Sequence, residues 1–344
     1  MSDFAQTGLI CTLQRLNDAH LARVETELAE LALARPIALV LPCHGRDLDQ
    51  PAFARLLDEL HGAAFLREIV LSVNAVAPPL LGTVREKLSA LPQKTVLLVN
   101  EDRPGERAGK GSNVRAAVAL LTREGECDII ATQDCDVGSF RRVDLARLCY
   151  AVAHPRLGYR FAKMYYSRVT DRLYGRVSRL FLAPLLHAIV RVAGHQPLVD
   201  FLLSFRYPLA GEVALTRELA ASLPVSAGWG LEIGQLCEVF RRVDPREVCQ
   251  VDGGTGYDHK HQPAVTALAD MAAEIARELF AQLAAEGLAK DPAFHAAVAA
   301  AYRREADHAL RRSAALALVN GLPFDEAAER AIVETFATRL IAAL

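Results

Sequence analysis

The stretch that decides the fold is Ile129-Ile130-Ala131-Thr132-Gln133-Asp134-Cys135-Asp136, in which an apolar run is followed by two carboxylates one residue apart. The run over 129–132 predicts a buried strand, because a strand covered on both faces is apolar along its whole length. Asp134 and Asp136 then lie just beyond the carboxyl end of a strand, which is where a parallel sheet binds its ligands. Paired carboxylates in this position can hold a divalent cation, and the cation in turn holds a diphosphate.

A second motif, Gly109-Lys110-Gly111, lies upstream at the predicted start of a helix over 111–124. Glycines let the backbone approach a ligand closely, and the Lys110 ammonium suits a phosphate or a sugar hydroxyl. Each motif alone is weak, because Asp134 and Asp136 can equally form a solvated turn and Lys110 can be an exposed lysine at a helix start. Their positions around neighbouring strands and helices together favour an enzyme that handles a nucleotide-sugar.

Apolar strands and helices alternate in the first part of the chain. The predicted strands cover 37–42, 68–73, 95–99 and 127–132, and the predicted helices cover 18–34, 51–62, 79–91 and 111–124. Apolar strands separated by helices indicate a parallel sheet with helices on both faces. No Gly-x-Gly-x-x-Gly turn follows the first strand, so a dinucleotide-binding fold of the dehydrogenase type is disfavoured.

Helical patterns dominate the chain after about residue 150. They cover 170–193, 212–222, 230–242, 263–286, 292–312 and 324–343. The last of these segments are rich in alanine, with apolar residues at helical spacing. They predict a helical appendage with a role in packing or oligomerisation.

Composition excludes several classes of protein. The 344 residues are 52% hydrophobic with a net charge of -2 at pH 7, which argues against a dedicated nucleic-acid binder. The longest apolar runs are too short to span a bilayer, and no basic region precedes an apolar block at the N-terminus, so we expect neither membrane insertion nor a signal peptide. The seven cysteines form no Cys-x-x-Cys pair and lie mostly in apolar segments. Reduced, buried thiols and a cytoplasmic location are therefore expected.

An excess of cations lies over 155–193, where eight lysine and arginine residues accompany the single acid Asp171. Four of the arginines would share one face of a continuous helix, but Gly175 makes a later helix start an alternative. A helix that starts near Gly175 would present backbone N–H groups, the Arg176 guanidinium and the Ser178 hydroxyl to an anion. The competing interpretation is a solvated charged face.

Two further motifs place polar side chains on loops. Gly228-Trp229-Gly230-Leu231-Glu232-Ile233-Gly234 puts an aromatic ring and a carboxylate next to a helix start. Glu232 can accept hydrogen bonds from sugar hydroxyls, or it can be only the acidic residue that helix N-termini favour. His259 or His261 is a candidate further ligand for a cation already bound by a carboxylate, the alternative being a polar loop.

Taken in order, these motifs resemble one family. The series is Gly109-Lys110-Gly111, Asp134-x-Asp136, Gly175-Arg176-Val177-Ser178-Arg179, Pro208-Leu209-Ala210-Gly211-Glu212, Ser222-Leu223-Pro224, the Gly228–Gly234 segment and His259-x-x-x-Pro263. It is similar to the series in the glucosyl-3-phosphoglycerate synthases and their mannosyl- and glucosylglycerate-forming relatives, which are retaining GT-A glycosyltransferases. The match covers about 105 to 275 and, more loosely, the first strand.

The resemblance implies a GT-A fold, a Rossmann-like and mostly parallel α/β sheet with helices on both faces, joined to a helical C-terminal region. With the pattern of helices and strands, we expect four regions: an N-terminal helical segment over 1–36, a nucleotide-sugar region over 37–150, an acceptor region over 151–262 and a helical C-terminal region over 263–344. The resemblance also implies a homodimer formed through the C-terminal helices.

The resemblance further implies roles for single residues. Asp136 and His259 would bind Mg2+ or Mn2+. The donor nucleotide-sugar would contact Pro42, Gly109, Lys110, Asp134, Asp136, Ala210 and Gly211. The carboxylate or phosphate of a glycerate-type acceptor would be held by Gly175, Arg176 and Ser178. The candidates for a catalytic role are Glu232, Lys110 and Leu209.

The expected reaction is metal-dependent transfer of a hexose, glucose first, from a nucleoside-diphosphate sugar to the 2-hydroxyl of 3-phosphoglycerate or D-glycerate. Same-face attack is the favoured route to retention, and Glu232 as a covalent nucleophile is the less favoured one. The turns at 42–47 and 72–75 differ from the base-binding turns of the relatives, so UDP, GDP (with mannose) and ADP donors stay open. The alternatives are a sugar-1-phosphate nucleotidyltransferase and a non-catalytic member of the family.

Overall fold

One eight-stranded sheet runs through the computed structural model, which describes residues 6, 8–100, 109–226, 228–255, 265–288 and 291–343. Its strands are β1 (Cys11–Leu13), β2 (Ile37–His44), β3 (Leu66–Asn74), β4 (Lys94–Asn100), β5 (Ile129–Thr132), β6 (Phe161–Ser167), β7 (Val213–Thr216) and β8 (Val248–Thr255). The strand order is β1-β8-β6-β7-β5-β2-β3-β4. β7 runs antiparallel to β5 and β6, and the other neighbouring pairs are parallel.

Twelve α-helices accompany the sheet in the described ranges. They are α1 (Leu21–Ala34), α2 (Pro51–His61), α3 (Pro78–Ser89), α4 (Lys110–Glu124), α5 (Arg142–Ala153), α6 (Ala183–Ala193), α7 (Pro197–Ser204), α8 (Arg217–Ser222), α9 (Leu231–Arg242), α10 (Val265–Ala285), α11 (Pro292–Val319) and α12 (Glu326–Ala343). A π-helical segment, Val177–Leu182, leads directly into α6. Among the helices described, none has the length and apolar character needed to cross a membrane.

The alternating side chains of β2 show why the sheet is covered on both faces. Ile37, Leu39 and Leu41 belong to one buried apolar cluster, whereas Ala38 and Val40 belong to another on the opposite face. Successive side chains of a strand point to opposite faces, so a strand that is apolar throughout requires packing on both sides. This arrangement confirms the predicted α/β architecture and leaves the carboxyl ends of the strands for a ligand.

The C-terminal helices pack into the same apolar cluster as one face of the sheet. The ring of Phe181 lies 5.8 Å from that of Tyr302 in α11 and 5.4 Å from that of Phe336 in α12. The Tyr302 hydroxyl donates to the Leu180 carbonyl at 2.8 Å. The π-helical segment is therefore held from behind by α11 and α12.

Two predicted helices were wrong in ways that bear on the site. The predicted helix over 212–222 contains β7 followed by α8, because four buried residues are too few for a period to distinguish a strand from a helix. The predicted helix over 170–193 begins only at Val177, since Gly175 has a left-handed backbone with φ +69°. That break agrees with the alternative of a helix start near Gly175. The sequence interpretation also missed β1, β6, β8, α5 and α7.

Candidate active site

A cleft of about 740 Å³ opens at the carboxyl ends of β2, β3 and β5. Ligands of open α/β sheets bind at this edge, and the volume is typical of a small-molecule site. Ten of the residues predicted from the sequence line it, namely Pro42, Gly109, Lys110, Asp134, Asp136, Gly175, Arg176, Ser178, Leu209 and Glu232. The predicted ligand His259 lies outside the described residues.

Lys110, the first residue of α4, joins three motifs that are distant in the sequence. Its Nζ lies 2.7 Å from Asp134 Oδ1 and 3.0 Å from Glu232 Oε1. Burial alone would lower the pKa of Lys110, but the carboxylates of Asp134, Glu232 and Glu212 raise it well above its usual value. Lys110 therefore carries a fixed positive charge at the floor of the cleft.

Gly211 passes directly beside this ion pair. A Cβ at position 211 would lie 2.2 Å from Lys110 Nζ and 2.8 Å from Asp134 Oδ2, so any other residue there would require the two side chains to move from their present contact. The Gly211 carbonyl accepts a hydrogen bond from Thr132 Oγ1 at 2.6 Å, which ties the start of β7 to the end of β5. Because Gly211 has no side chain, Lys110 and Asp134 can form their ion pair at the floor of the cleft.

Beneath this floor lies a buried polar cluster that sequence reasoning missed. Lys163 in β6 is fully buried and donates to the carbonyl of Ala210, itself buried. The fully buried Glu212 accepts from Tyr166 Oη at 2.9 Å and from Gln133 Nε2 at 3.3 Å. Burial lowers the pKa of Lys163 to about 8, against the opposing effect of nearby carboxylates. The missed signal was a lysine inside the apolar run over 161–166.

A second polar network ties three strand ends to α4 at the other side of the cleft. Asn113 donates to the Cys43 carbonyl at 2.9 Å, and Asn100 donates to Asn113 Oδ1 at 2.8 Å. Ser72 Oγ donates to the Asn113 carbonyl at 2.8 Å. Polar residues at the ends of the predicted strands were the available signal for this network. It fixes the wall formed by the turns after β2 and β3.

The opposite end of the cleft carries the Gly175–Ser178 segment. Arg176 donates through Nε to Glu329 Oε1 at 2.8 Å, and its side chain lines the cleft. The buried Oγ of Ser178 has no hydrogen-bond partner among the described residues. A buried hydroxyl without a hydrogen bond destabilises the folded protein, unless a bound ligand supplies the missing hydrogen bond.

Much of the cationic excess over 155–193 is balanced by carboxylates. Arg172 Nη2 lies 2.7 Å from Asp171 Oδ2, and Arg191 Nη2 lies 2.6 Å from Glu305 Oε1. These two arginines do not line the cleft, whereas Arg168 and Arg176 do. The structure therefore leaves two arginines of the block, Arg168 and Arg176, lining the cleft as candidates for anion binding.

The loop that carries the single tryptophan closes the cleft on the α10 side. Gly228 has φ +65°, and the Trp229 backbone N–H donates to Glu274 Oε2 in α10 at 3.1 Å. Trp229 lines the cleft and stays exposed, while Glu232 in the first turn of α9 is buried against Lys110. The motif thus supplies both an aromatic wall and a carboxylate.

The carboxylates that line the cleft fit a metal ion that takes its remaining ligands from a substrate phosphate and water. The described residues contain no group of three His, Cys, Asp or Glu side chains able to hold a metal by themselves. Asp136 lines the cleft beside Asp134, and both supply hard carboxylate oxygens. Mg2+ commonly binds through one or two carboxylates and completes its shell with substrate phosphates and water.

Comparison with known proteins finds close relatives over nearly the whole chain, although no family model matches it. The glucosyl-3-phosphoglycerate synthase of Persephonella marina is 34% identical over 358 aligned positions, covering 99% of this chain and 89% of the relative. The enzyme of the same name from Methanococcoides burtonii is 29% identical over 332 positions, covering 89% of this chain and 81% of the relative.

Solved structures confirm the predicted fold. The Mycobacterium tuberculosis glucosyl-3-phosphoglycerate synthase with Mn2+, UDP-glucose and phosphoglyceric acid matches with a TM-score of 0.60 at 22% identity, covering 79% of this chain and 87% of that one. Its complex with Mg2+ and UDP matches with a TM-score of 0.60 at 23% identity, covering 80% and 86%. Because a relative is 34% identical in an alignment that covers 99% of this chain, the chain belongs to the glucosyl-3-phosphoglycerate synthase family and is a glycosyltransferase.

Proposed function

We propose that the protein transfers glucose from UDP-glucose to the 2-hydroxyl of 3-phosphoglycerate, with retention at the anomeric carbon. The M. tuberculosis relative binds UDP-glucose and phosphoglyceric acid, and the curated relatives carry the name of this activity. The observation in this chain that carries the proposal is the contact of Lys110 with both Asp134 and Glu232 in the cleft. One cation there joins a predicted diphosphate site to a carboxylate able to bind a sugar.

The donor diphosphate would lie against Lys110, the Gly109 backbone and Asp136. Asp136 and, by resemblance, His259 would hold Mg2+ or Mn2+, which when bound neutralises charge on the leaving diphosphate. Lys110 is kept charged by its two carboxylate partners and adds a further positive charge at the same place. Pro42 lies two residues before the end of β2, in the wall that would receive the nucleoside.

The sugar and the acceptor would meet between Glu232 and the Gly175–Ser178 segment. Glu232 would accept hydrogen bonds from sugar hydroxyls, with Leu209 beside the ring, whereas Ala210 is buried beneath the floor of the cleft. The Arg176 guanidinium, the Ser178 hydroxyl and the backbone N–H groups near Gly175 would bind the carboxylate or phosphate of the acceptor. Holding both substrates in a reactive geometry supplies much of the rate in such a transfer.

The environment of Glu232 supports same-face attack over a covalent intermediate. Its Oε1 lies 3.0 Å from Lys110 Nζ, so the negative charge that a nucleophilic carboxylate needs is already paired with the Lys110 ammonium. A carboxylate held in this way is better suited to orient hydroxyl groups than to attack a carbon atom. The role of Glu232 is therefore proposed as sugar binding.

The activity is tested with purified protein, Mg2+ or Mn2+, a panel of UDP-, GDP- and ADP-hexoses, and D-glycerate against 3-phosphoglycerate. We expect release of nucleoside diphosphate with the highest kcat/KM for UDP-glucose and 3-phosphoglycerate. Absence of turnover with every glycerate-type acceptor would overturn the proposal. Release of pyrophosphate from a nucleoside triphosphate and a sugar 1-phosphate would instead support a nucleotidyltransferase.

A matched pair of variants tests whether the activity belongs to this cleft. Asp136 and Asp128 lie beyond opposite ends of β5, the first in the cleft and the second exposed outside it. Asp136→Asn should abolish turnover, whereas Asp128→Asn should leave it unchanged. Full activity of Asp136→Asn would favour a non-catalytic role for the site.

We also propose that the protein forms a homodimer through its C-terminal helices. Leu318 and Val319 at the end of α11 are 81% and 85% exposed, and Ile341 in α12 is 54% exposed. Sedimentation analysis should show a dimer that Leu318→Glu weakens. A monomer at micromolar concentration would refute this proposal.

A further inference from the structure

Glu329 in α12 is a buried carboxylate that meets the proposed acceptor site from behind. Only 5% of the residue is exposed, and it does not line the cleft. Its Oε1 accepts from Arg176 Nε at 2.8 Å, and its Oε2 accepts from Arg179 Nη2. A residue near the end of the chain thus contacts two arginines of the π-helical region.

The two arginines are held differently. Arg179 also donates through Nε to the Tyr174 carbonyl at 3.1 Å and through Nη1 to Ser313 Oγ at 3.3 Å, so the protein engages every part of its guanidinium. The Arg176 guanidinium makes no hydrogen bond to the described residues other than the one to Glu329. The guanidinium is a planar fork, so a bond at Nε sets the direction of both terminal nitrogens.

Charge balance gives Glu329 a second effect. Two guanidinium groups and one carboxylate leave this trio with a net charge of about +1, which suits an anionic acceptor. Without the negative charge, Arg176 and Arg179 would repel each other, and the more exposed Arg176 would turn away. Arg176 is 28% exposed at its side chain and Arg179 is 19% exposed.

We propose that Glu329 is a positioning residue for the acceptor, which holds the Arg176 guanidinium so that its two terminal nitrogens face the acceptor anion. The inference rests on the proposed function, because Arg176 binds an acceptor only if the acceptor is anionic. It assigns the C-terminal helix α12 a part in acceptor affinity, besides its part in packing.

The test compares Glu329→Gln with Glu305→Gln. Glu305 in α11 is also a buried carboxylate paired with an arginine, Arg191, but neither residue lines the cleft. For Glu329→Gln we expect the KM for 3-phosphoglycerate to rise at least tenfold, while kcat and the KM for the donor stay within twofold of the wild type. Glu305→Gln should lower the melting temperature without raising the acceptor KM.

A conservative pair keeps the test informative if Glu329→Gln does not fold. Glu329→Asp retains the charge but shortens its reach, so we expect an acceptor KM about threefold above that of Glu305→Asp. Equal acceptor KM values in the Glu329 and Glu305 variants, or parallel rises of the donor KM and the acceptor KM, would overturn this inference and leave the proposed function standing. Absence of turnover by the wild type would overturn the proposed function and this inference with it.

Discussion

Gly211→Ala is expected to impair the transfer by displacing Lys110. The added Cβ would lie 2.2 Å from Lys110 Nζ and 2.8 Å and 2.9 Å from the two Asp134 oxygens, where ordinary contacts begin at 3.4 Å. The ammonium must therefore move by roughly 1 Å, and a displacement of that size at a catalytic group can cost about 10²-fold in rate. The ion pair is weakened rather than removed, so the loss of stability should stay below the 3–5 kcal/mol of a broken buried pair.

The assay is the rate of nucleoside diphosphate release, with kcat and both KM values, beside thermal unfolding of each variant. Gly82→Ala is the matched control, because Gly82 is exposed in α3 and a Cβ there meets no described atom within 4 Å. That control should keep wild-type activity and gain about 0.5–1 kcal/mol of stability from the better helix former.

A double-mutant cycle tests whether the effect passes through Lys110. In the Lys110→Ala background the contact at 2.2 Å is absent and only the contacts with the two Asp134 oxygens remain, so Gly211→Ala should cause a smaller further loss of activity than it does in the wild type. Wild-type kcat/KM in the single variant, or an undiminished hundredfold loss in the Lys110→Ala background, would refute the reasoning.

Three further predictions follow from the buried and cleft-lining groups. The pKa of Lys163 is about 8 in the folded protein against an ordinary 10.5, so the unfolded chain binds more protons between these values and stability rises with pH. The unfolding free energy of the wild type relative to Lys163→Met should thus rise by about 2 kcal/mol from pH 7.5 to 9.5 in denaturant titrations, and an unchanged difference would contradict this. Ser178→Ala removes an orphaned hydroxyl, so it should unfold at the same or a higher temperature while the acceptor KM rises about fivefold, as one lost hydrogen bond implies. Asp136→Asn should lose the response of donor binding to Mg2+ in calorimetric titrations, and a retained response would place the metal elsewhere.

The sequence determined those features that depend on short-range patterns. Apolar runs and helical spacing predicted β2, β3, β4, β5 and α4, because the spacing of apolar residues along a strand or helix is a local property of the sequence. Since the carboxyl ends of parallel strands share one edge of a sheet, the sequence alone predicts that the motif at 134–136 lies in a cleft. The ordered motifs also identified the family. The cytoplasmic location and the division into four regions stay predictions.

Only the tertiary structure decided which distant groups meet. β7 lies between β5 and β6 and runs antiparallel to both, which brings Gly211 beside Lys110 and Ala210 above Lys163. No pattern in the sequence links Arg176 to Glu329, since their contact depends on how α12 packs behind the π-helical segment. Burial then changes the chemistry, because a lysine inside the core loses its solvation and Glu232 gains a cation as its partner. The sequence thus determined the elements and the motifs, whereas the packing of distant segments decided their partners and charges.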